Sequence, residues 1–189
     1  MQSEDDLNYD VYYNEYDDDV YTEYEDIDYK VIRCGVIPYH KINNNHIILL
    51  MGFKRNYNKY YGDFGGGIGK NEYYINGLIR ELTEESNGIF GNEEVFVRNM
   101  LNRDDTIEIE YITKSKTPSI YLEYLVNVKP YDFPTWFEEG GYNNEHKYVK
   151  WIDVVKINNH FTFKNITLNQ IDGSIKPLVP EILSALETV

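Results

Sequence analysis

Several features that are common in other classes of protein are missing from this chain of 189 residues. A single cysteine, Cys34, cannot form an internal disulfide, and its apolar surroundings favour a buried inert thiol over a nucleophile. The longest apolar run, Ile47 to Met51 followed by Gly52 and Phe53, is far shorter than the roughly 20 residues that span a bilayer. The first residues, MQSEDD, have neither the basic start nor the apolar stretch of a signal peptide. These absences predict a protein of a reducing cytoplasm without a membrane partner.

Alanine is almost absent as well, because Ala185 is the one alanine against 20 Asn, 20 Ile and 19 Tyr. This bias is expected of AT-rich coding DNA and suggests an AT-rich source such as a large DNA virus or a parasite. Hydrophobic residues at 42% and charged residues at 26% are close to globular averages, and the length is that of one domain. A wholly disordered or membrane-embedded chain is therefore excluded.

The net charge of −14 is concentrated at one end of the chain. Residues 1–28 contain 12 of the 32 acidic groups and no Lys or Arg, whereas residues 29–189 contain 20 acidic and 18 basic groups, a net of −2. The sequence thus divides into an acidic, Tyr-rich arm over 1–28 and a nearly neutral domain over 29–189. A loosely ordered, solvated arm is the main interpretation, and an amphipathic segment that docks on the domain or on a basic partner is the alternative.

The domain reads as strands with a central helix and a closing helix. Strands are predicted over residues 29–39, 46–53, 106–112, 119–128 and 148–155, and KINNN makes the first two a hairpin. Ile75, Leu78, Ile79 and Leu82 follow the helical spacing i, i+3, i+4, i+7, which predicts a helix over 72–86. A second helix is predicted over 181–186, after Pro180. These elements describe a mixed sheet with helices packed on it.

Three carboxylates share one face of the central helix, within the stretch GGGIGKNEYYINGLIRELTEESNG at residues 65–88. Glu81, Glu84 and Glu85 are neighbours on the helix surface, where like charges cost roughly 0.2 to 0.5 kcal/mol per pair unless a cation is present. Carboxylate oxygens are hard ligands suited to Mg²⁺ or Mn²⁺. The glycines before the helix allow the backbone to approach a metal or a phosphate closely.

The same stretch resembles the signature of the Nudix hydrolase family. That signature is a Gly, five residues, a Glu, seven residues, and then Arg-Glu-aliphatic-any-Glu-Glu. Gly66 is followed at these spacings by Glu72 and by Arg80, Glu81, Leu82, Thr83, Glu84 and Glu85. The resemblance, over residues 66–88, implies a Nudix-like α/β/α sandwich with a mixed β-sheet and a catalytic loop-helix-loop.

The resemblance also implies a reaction and a set of roles. The reaction is hydrolysis of the diphosphate linkage in a nucleoside diphosphate joined to another group, with Mg²⁺ or Mn²⁺ as cofactor. Metal ligands would be Glu81, Glu84, Glu85 and the carbonyl of Gly65, while Glu72 and Arg80 would hold the loop and the helix together by an ion pair. A further carboxylate serves as the base in many members, and Glu145, six residues before Trp151, resembles the common position. Glu139 and Glu123 are rivals, although a strand residue such as Glu123 can simply point to solvent.

Other candidate ligands each have an ordinary structural alternative. Lys54 and Arg55, with Arg80, could meet substrate phosphate, although basic residues at a strand end are more often surface groups. Aromatic side chains that could stack on a nucleobase, unless they serve packing, are Trp136, Tyr57, Tyr60 and Tyr61.

The substrate class stays open within this interpretation. Nucleotides, nucleotide sugars and dinucleoside polyphosphates are favoured, and mRNA decapping or an inositol pyrophosphate is the alternative. RNA is a disfavoured partner because the domain has no basic stripe. A non-catalytic binding module is the competing class, and three intact, mutually repelling glutamates argue against it. A homodimer is left open.

Overall fold

One mixed β-sheet forms the centre of the molecule. The computed structural model describes residues 30–54, 60–86, 88–114, 118–130 and 146–189, with the backbone alone at 54, 146 and 147. Within these ranges the strands are β1 (Lys30–Asn43), β2 (His46–Lys54), β3 (Tyr61–Gly62), β4 (Phe64–Gly67), β5 (Ile107–Ile112), β6 (Ser119–Asn127), β7 (His146–Ile157) and β8 (His160–Phe163). The helices are α1 (Tyr74–Ser86), α2 (Glu93–Leu101) and α3 (Val179–Ala185), with 3₁₀ turns at Leu168–Gln170, Lys176–Leu178 and Leu186–Thr188.

The strands run in the order β5-β6-β1-β2-β7-β8, with β3 paired to β2 and β4 paired to β1. β1 and β6 are parallel, and the other paired strands are antiparallel. The end of β1 pairs with β2, whereas its first part, from Arg33 to Val36, pairs with β4. This division brings the glycines of β4 beside the beginning of β1.

Side chains alternate between two cores because successive residues of a strand point to opposite faces of a sheet. In β2, Ile47, Leu49 and Met51 pack in the core that contains α3, whereas Leu50 packs in the core that contains α1 and α2. Helices therefore cover both faces of the sheet. The predicted α/β/α sandwich with a mixed sheet is confirmed.

The predicted elements are present with shifted ends, and four others had not been predicted. The hairpin, the central helix, the three later strands and the closing helix all form. The unpredicted elements are α2, β8 and the short β3 and β4. α2 has a well-formed start, because the Asn92 side chain accepts a hydrogen bond from the Val95 amide. Its nine residues bury only Val97 and Met100, which is too short a pattern to stand out in the sequence.

Cys34 is fully buried in the core on the α1 side, and its Sγ donates to the Tyr74 carbonyl at 3.4 Å. Burial raises the pKa of the Cys34 thiol well above its ordinary value, so the thiol stays protonated. Across the described ranges, no helix combines the length and the apolar character needed to cross a membrane.

Candidate active site

The centre of the candidate site is formed by residues 65–69 and the helix α1 that follows them. Residues 65–69, which are the glycines at the end of β4 and the first residues after it, are called the glycine turn below. β4 ends at Gly67, the Ile68 amide donates to the Ile32 carbonyl at 2.9 Å, and Asn71 turns the chain at φ 65°. α1 then buries Ile75, Leu78 and Leu82 against the sheet. Because these residues fix the rotation of the helix, its glutamates are directed to the glycine turn.

Glu72 and Arg80 connect the turn to the helix. Arg80 Nε lies 3.0 Å from Glu72 Oε1, and Arg80 Nη2 lies 3.0 Å from Glu72 Oε2. The same guanidinium donates to the Gly67 carbonyl at 2.8 Å, and the Gly69 amide donates to Glu72 Oε2 at 2.7 Å. The Arg80 guanidinium and the Gly69 N–H together lower the pKa of Glu72 to about 2. The ion pair therefore stays formed at any ordinary pH.

The three helix glutamates have different surroundings. Glu85 is buried and accepts a hydrogen bond of 2.7 Å from the Gly65 amide. Glu81 is 13% exposed, lies 2.6 Å from Arg80 Nη1, and occupies the space beside Gly66, where a Cβ atom would overlap its carboxylate. Glu84 is 42% exposed and lies 3.5 Å from the same guanidinium nitrogen. Two carboxylates thus contact the turn, and the third lies nearer the solvent.

A cleft of about 430 Å³ opens over this turn. Its walls are formed by Ile32, Arg33, Gly65, Gly66, Gly67, Glu81, Glu85, Tyr121, Asp172 and Ser174. The volume falls in the range of sites for small molecules. Two carboxylates of the motif and the glycine backbone therefore line one open space, together with residues from β1, β6 and the C-terminal segment that contains Asp172 and Ser174.

Behind the turn lies a buried cluster of one arginine and two carboxylates. Arg33 Nη2 is 2.7 and 2.6 Å from the two oxygens of Asp63, and Arg33 Nη1 is 3.4 Å from Glu123 Oε2. Burial lowers the pKa of Arg33, but the two carboxylates outweigh it and the net pKa is raised. Sequence reasoning missed Arg33 and Asp63, because no motif marks residues that meet only through strand register.

The possibility that Glu123 points to solvent is wrong. Its side chain is fully buried, since β6 is covered on both faces. Burial and the neighbouring Asp63 carboxylate raise the pKa of Glu123, and Arg33 acts in the opposite direction. Its Oε1 atom has no hydrogen-bond partner in the described part of the chain.

Comparison with known proteins adds three solved structures of interest. A MutT/nudix family protein from Enterococcus faecalis is 12% identical, with 72% of this chain and 49% of that chain covered and a TM-score of 0.45. A C. elegans Ap4A hydrolase binary complex is 15% identical, with 84% and 100% covered and a TM-score of 0.44. A bifunctional NMN adenylyltransferase/ADP ribose pyrophosphatase from Francisella tularensis, complexed with AMP and a Mn ion, is 16% identical, with 83% and 42% covered and a TM-score of 0.42.

Searches of protein-family models and of curated proteins find no match to this chain. The chain spans about half of the Enterococcus protein and less than half of the Francisella enzyme. Identities of 12 to 16% and TM-scores below 0.5 do not assign an activity or a substrate to this chain.

The donor atoms at the turn suit a hard divalent cation. The carboxylates of Glu81 and Glu85 line one cleft with Gly65, and such oxygen donors are those that Mg²⁺ and Mn²⁺ prefer. Among the described residues, no three acidic, histidine or cysteine side chains converge on a point as the ligands of a bound ion would. A cation would therefore have to draw Glu81 and Glu84 away from Arg80. The chemistry of the site fits the ion, with this rearrangement of side chains.

Some predicted site residues lie outside the described ranges. These are Arg55, Tyr57, Trp136, Glu139 and Glu145, and the side chain of Lys54 is outside them as well. Tyr61 is buried, and its ring meets Phe53 edge to face with centroids 5.2 Å apart, so it serves packing. Tyr121, which had not been singled out, is the aromatic residue among the described walls of the cleft.

Proposed function

We propose that this protein is a divalent-metal-dependent pyrophosphohydrolase of the Nudix type, which cleaves the diphosphate linkage of a nucleoside diphosphate joined to another group. The observation that carries the proposal is the junction of the glycine turn with α1. Glu85 bonds the Gly65 amide, Glu81 lies against Gly66, and both carboxylates line the same cleft. A solvated helix face would show no such contacts with a turn.

Each residue of the motif then has a physical task. Glu81, Glu84, Glu85 and the Gly65 carbonyl would hold Mg²⁺ or Mn²⁺. The ion, when bound, neutralises charge on the diphosphate and lowers the pKa of a coordinated water. Arg80 keeps the turn and the helix at a fixed distance through Glu72 and the Gly67 carbonyl.

Substrate binding and proton transfer would also need basic residues and a carboxylate from outside the motif. We keep Lys54 and Arg55, with Arg80, as the proposed contacts for substrate phosphate. A carboxylate outside the motif would accept the proton of the attacking water at a side-chain oxygen. Glu145 is our first choice for this base, and Glu139 and Glu123 are its rivals. Of these, Glu123 is buried against Arg33 and is not among the described walls of the cleft, so it would have to leave that pair to reach a water there.

The decisive experiment is a panel of diphosphate compounds assayed with Mg²⁺ for release of mononucleotide or phosphate. The panel contains ADP-ribose, a nucleotide sugar, a dinucleoside tetraphosphate, a nucleoside triphosphate, capped RNA and an inositol pyrophosphate. Glu85→Gln is the test variant. Glu94→Gln is its matched control, because Glu94 is an exposed helix glutamate paired with Arg98.

We expect the wild-type protein and Glu94→Gln to turn over at least one compound, and Glu85→Gln to lose about 10²-fold or more in kcat/KM. Absence of hydrolysis across the panel, with folded protein and Mg²⁺ present, would refute the proposal. Binding of a compound without its cleavage would point to the binding-module class instead.

A further inference from the structure

Arg33, Asp63 and Glu123, called the Arg33 cluster below, place three charged groups in the interior of the protein. The side chains of Arg33, Asp63 and Glu123 are 6%, 0% and 0% exposed. Moving charged groups out of water is unfavourable, and apolar residues of similar volume often stabilise a fold as well or better. Stability alone therefore does not account for two carboxylates and a guanidinium at this place.

The cluster joins separate pieces of the cleft wall. Asp63 is the residue between β3 and β4, two positions before Gly65, and Glu123 belongs to β6. Arg33 Nη2 also lies 3.5 Å from the Gly65 carbonyl and 3.5 Å from Ser174 Oγ of the C-terminal segment. One guanidinium therefore contacts the glycine turn, its preceding residue, a sheet strand and the opposite wall.

Two backbone features place the cluster there. Gly35 pairs with Gly65 on one side and with Glu123 on the other, and a Cβ atom at Gly35 would overlap the Asp63 carboxylate. The β1–β6 register shifts between Val31 and Arg33. Such a bulge redirects side chains, and Arg33 here lines the cleft while its guanidinium stays buried.

We propose that Arg33 is a positioning residue, whose pairing with Asp63 and Glu123 holds the glycine turn so that the Gly65 amide meets Glu85 and the Gly65 carbonyl is presented to the cleft. The importance of that geometry for chemistry rests on the function proposed above. The effect of Arg33 on the conformation of the glycine turn does not depend on that function, and it can be measured on protein without metal.

The test compares a neutral version of the cluster with a control. The triple variant Arg33→Met, Asp63→Asn, Glu123→Gln removes all three charges at similar volume, so that no unpaired ion is left buried. The control is Arg98→Met, which removes an exposed arginine that pairs with Glu94 on α2. Amide hydrogen exchange is followed at Gly65, whose amide is bonded to Glu85, and at Leu49 in the middle of β2.

If Arg33 positions the turn, the triple variant should exchange the Gly65 amide about 10-fold faster or more, while Leu49 and the Arg98→Met control stay near wild type. Mn²⁺ affinity, measured by electron paramagnetic resonance, should fall by about 10-fold in the triple variant. Unchanged exchange at Gly65 would overturn the proposal. An equal acceleration at Gly65 and Leu49 would also overturn it, since the cluster would then be a general stability element.

A second variant covers the case in which the triple variant does not fold. Arg33→Lys keeps the charge but replaces the planar fork with a single ammonium. It should exchange Gly65 several-fold faster with Leu49 unchanged, and wild-type exchange at Gly65 would refute the positioning role. Failure of the proposed function has a different signature, because the wild-type protein would then hydrolyse no compound of the panel whatever the exchange rates are.

Discussion

The Glu72–Arg80 ion pair should make a measurable, pH-dependent contribution to stability. The pKa of Glu72 falls from an ordinary 4.5 to about 2 in the folded protein. Because the folded pKa is lower than the unfolded one, the contribution is fully present above the unfolded value, and it is lost as the pH falls from 4.5 toward 2. Glu72→Gln should therefore destabilise the protein at neutral pH and much less in acid.

The magnitude follows from the shift and from the exposure of the pair. At 1.36 kcal/mol per pKa unit the full shift corresponds to about 3 kcal/mol. The side chains of Arg80 and Glu72 are 37% and 22% exposed, so solvent screens the interaction. We expect a loss of about 1 kcal/mol at pH 7 for Glu72→Gln, and less than half of that near pH 3.

Urea denaturation of wild type and Glu72→Gln at pH 7, 5 and 3 measures this difference directly. Other carboxylates titrate in both proteins and cancel in the comparison. Glu94→Gln is the control, because its partner Arg98 is 64% exposed and the pair should contribute little at any pH. A loss for Glu72→Gln that is the same at pH 3 and pH 7 would show that the ion pair does not stabilise the fold in this way.

Three further predictions concern chemistry. Glu85→Gln should weaken Mn²⁺ binding in calorimetry and lower kcat/KM by about 10²-fold or more. A loss of only one of the two would contradict the proposal that Glu85 is a metal ligand. Loss of the base should spare metal binding and lower kcat by about 10² to 10⁴-fold. We expect this for Glu145→Gln, and a wild-type rate there with a fall in Glu139→Gln would move the base to Glu139. A fall in Glu123→Gln would move the base to Glu123 only if the Gly65 amide still exchanges at the wild-type rate, because Glu123 is also paired with Arg33. Deletion of residues 1–28 should leave turnover within a few-fold of wild type, and loss of activity in a folded deletion protein would show that the arm shapes the site.

The predictable parts of the structure are those determined by local patterns. α1 follows from four apolar residues at helical spacing, and the turn before it follows from a run of glycines, so the neighbourhood of Glu81 and Glu85 could be expected from 24 consecutive residues. α2 could not be predicted in this way, since nine residues with two buried side chains give a weak periodic signal.

The Arg33 cluster was beyond prediction for a different reason. Asp63 lies 30 residues from Arg33 along the chain, and Glu123 lies 90 residues away. Their meeting depends on the parallel register of β1 with β6 and on the bulge within it, neither of which has a local sequence signal. A charged residue within a predicted strand can point to solvent, but this holds only for a sheet with one bare face. Both faces are covered here, so the polar side chain is buried.

The charge of the cleft predicts that a diphosphate binds more tightly when Mg²⁺ is present than when it is absent. Glu81, Glu85 and Asp172 line it, and Arg33, the one cationic side chain in its described walls, is already paired with Asp63 and Glu123. A diphosphate entering this cleft without a counter-ion would meet carboxylates of its own sign, at distances where a partly buried pair is poorly screened.

A non-hydrolysable methylene-bridged analogue of ADP-ribose should therefore bind at least about 10-fold more weakly in EDTA than in Mg²⁺, a difference of 1.4 kcal/mol. The neutral nucleoside adenosine is the control, because its affinity has no electrostatic reason to follow the metal. Calorimetry under both conditions gives the comparison. Equal affinity of the analogue with and without Mg²⁺ would mean that its phosphates do not lie beside Glu81 and Glu85, and the diphosphate would then have to be placed elsewhere on the surface.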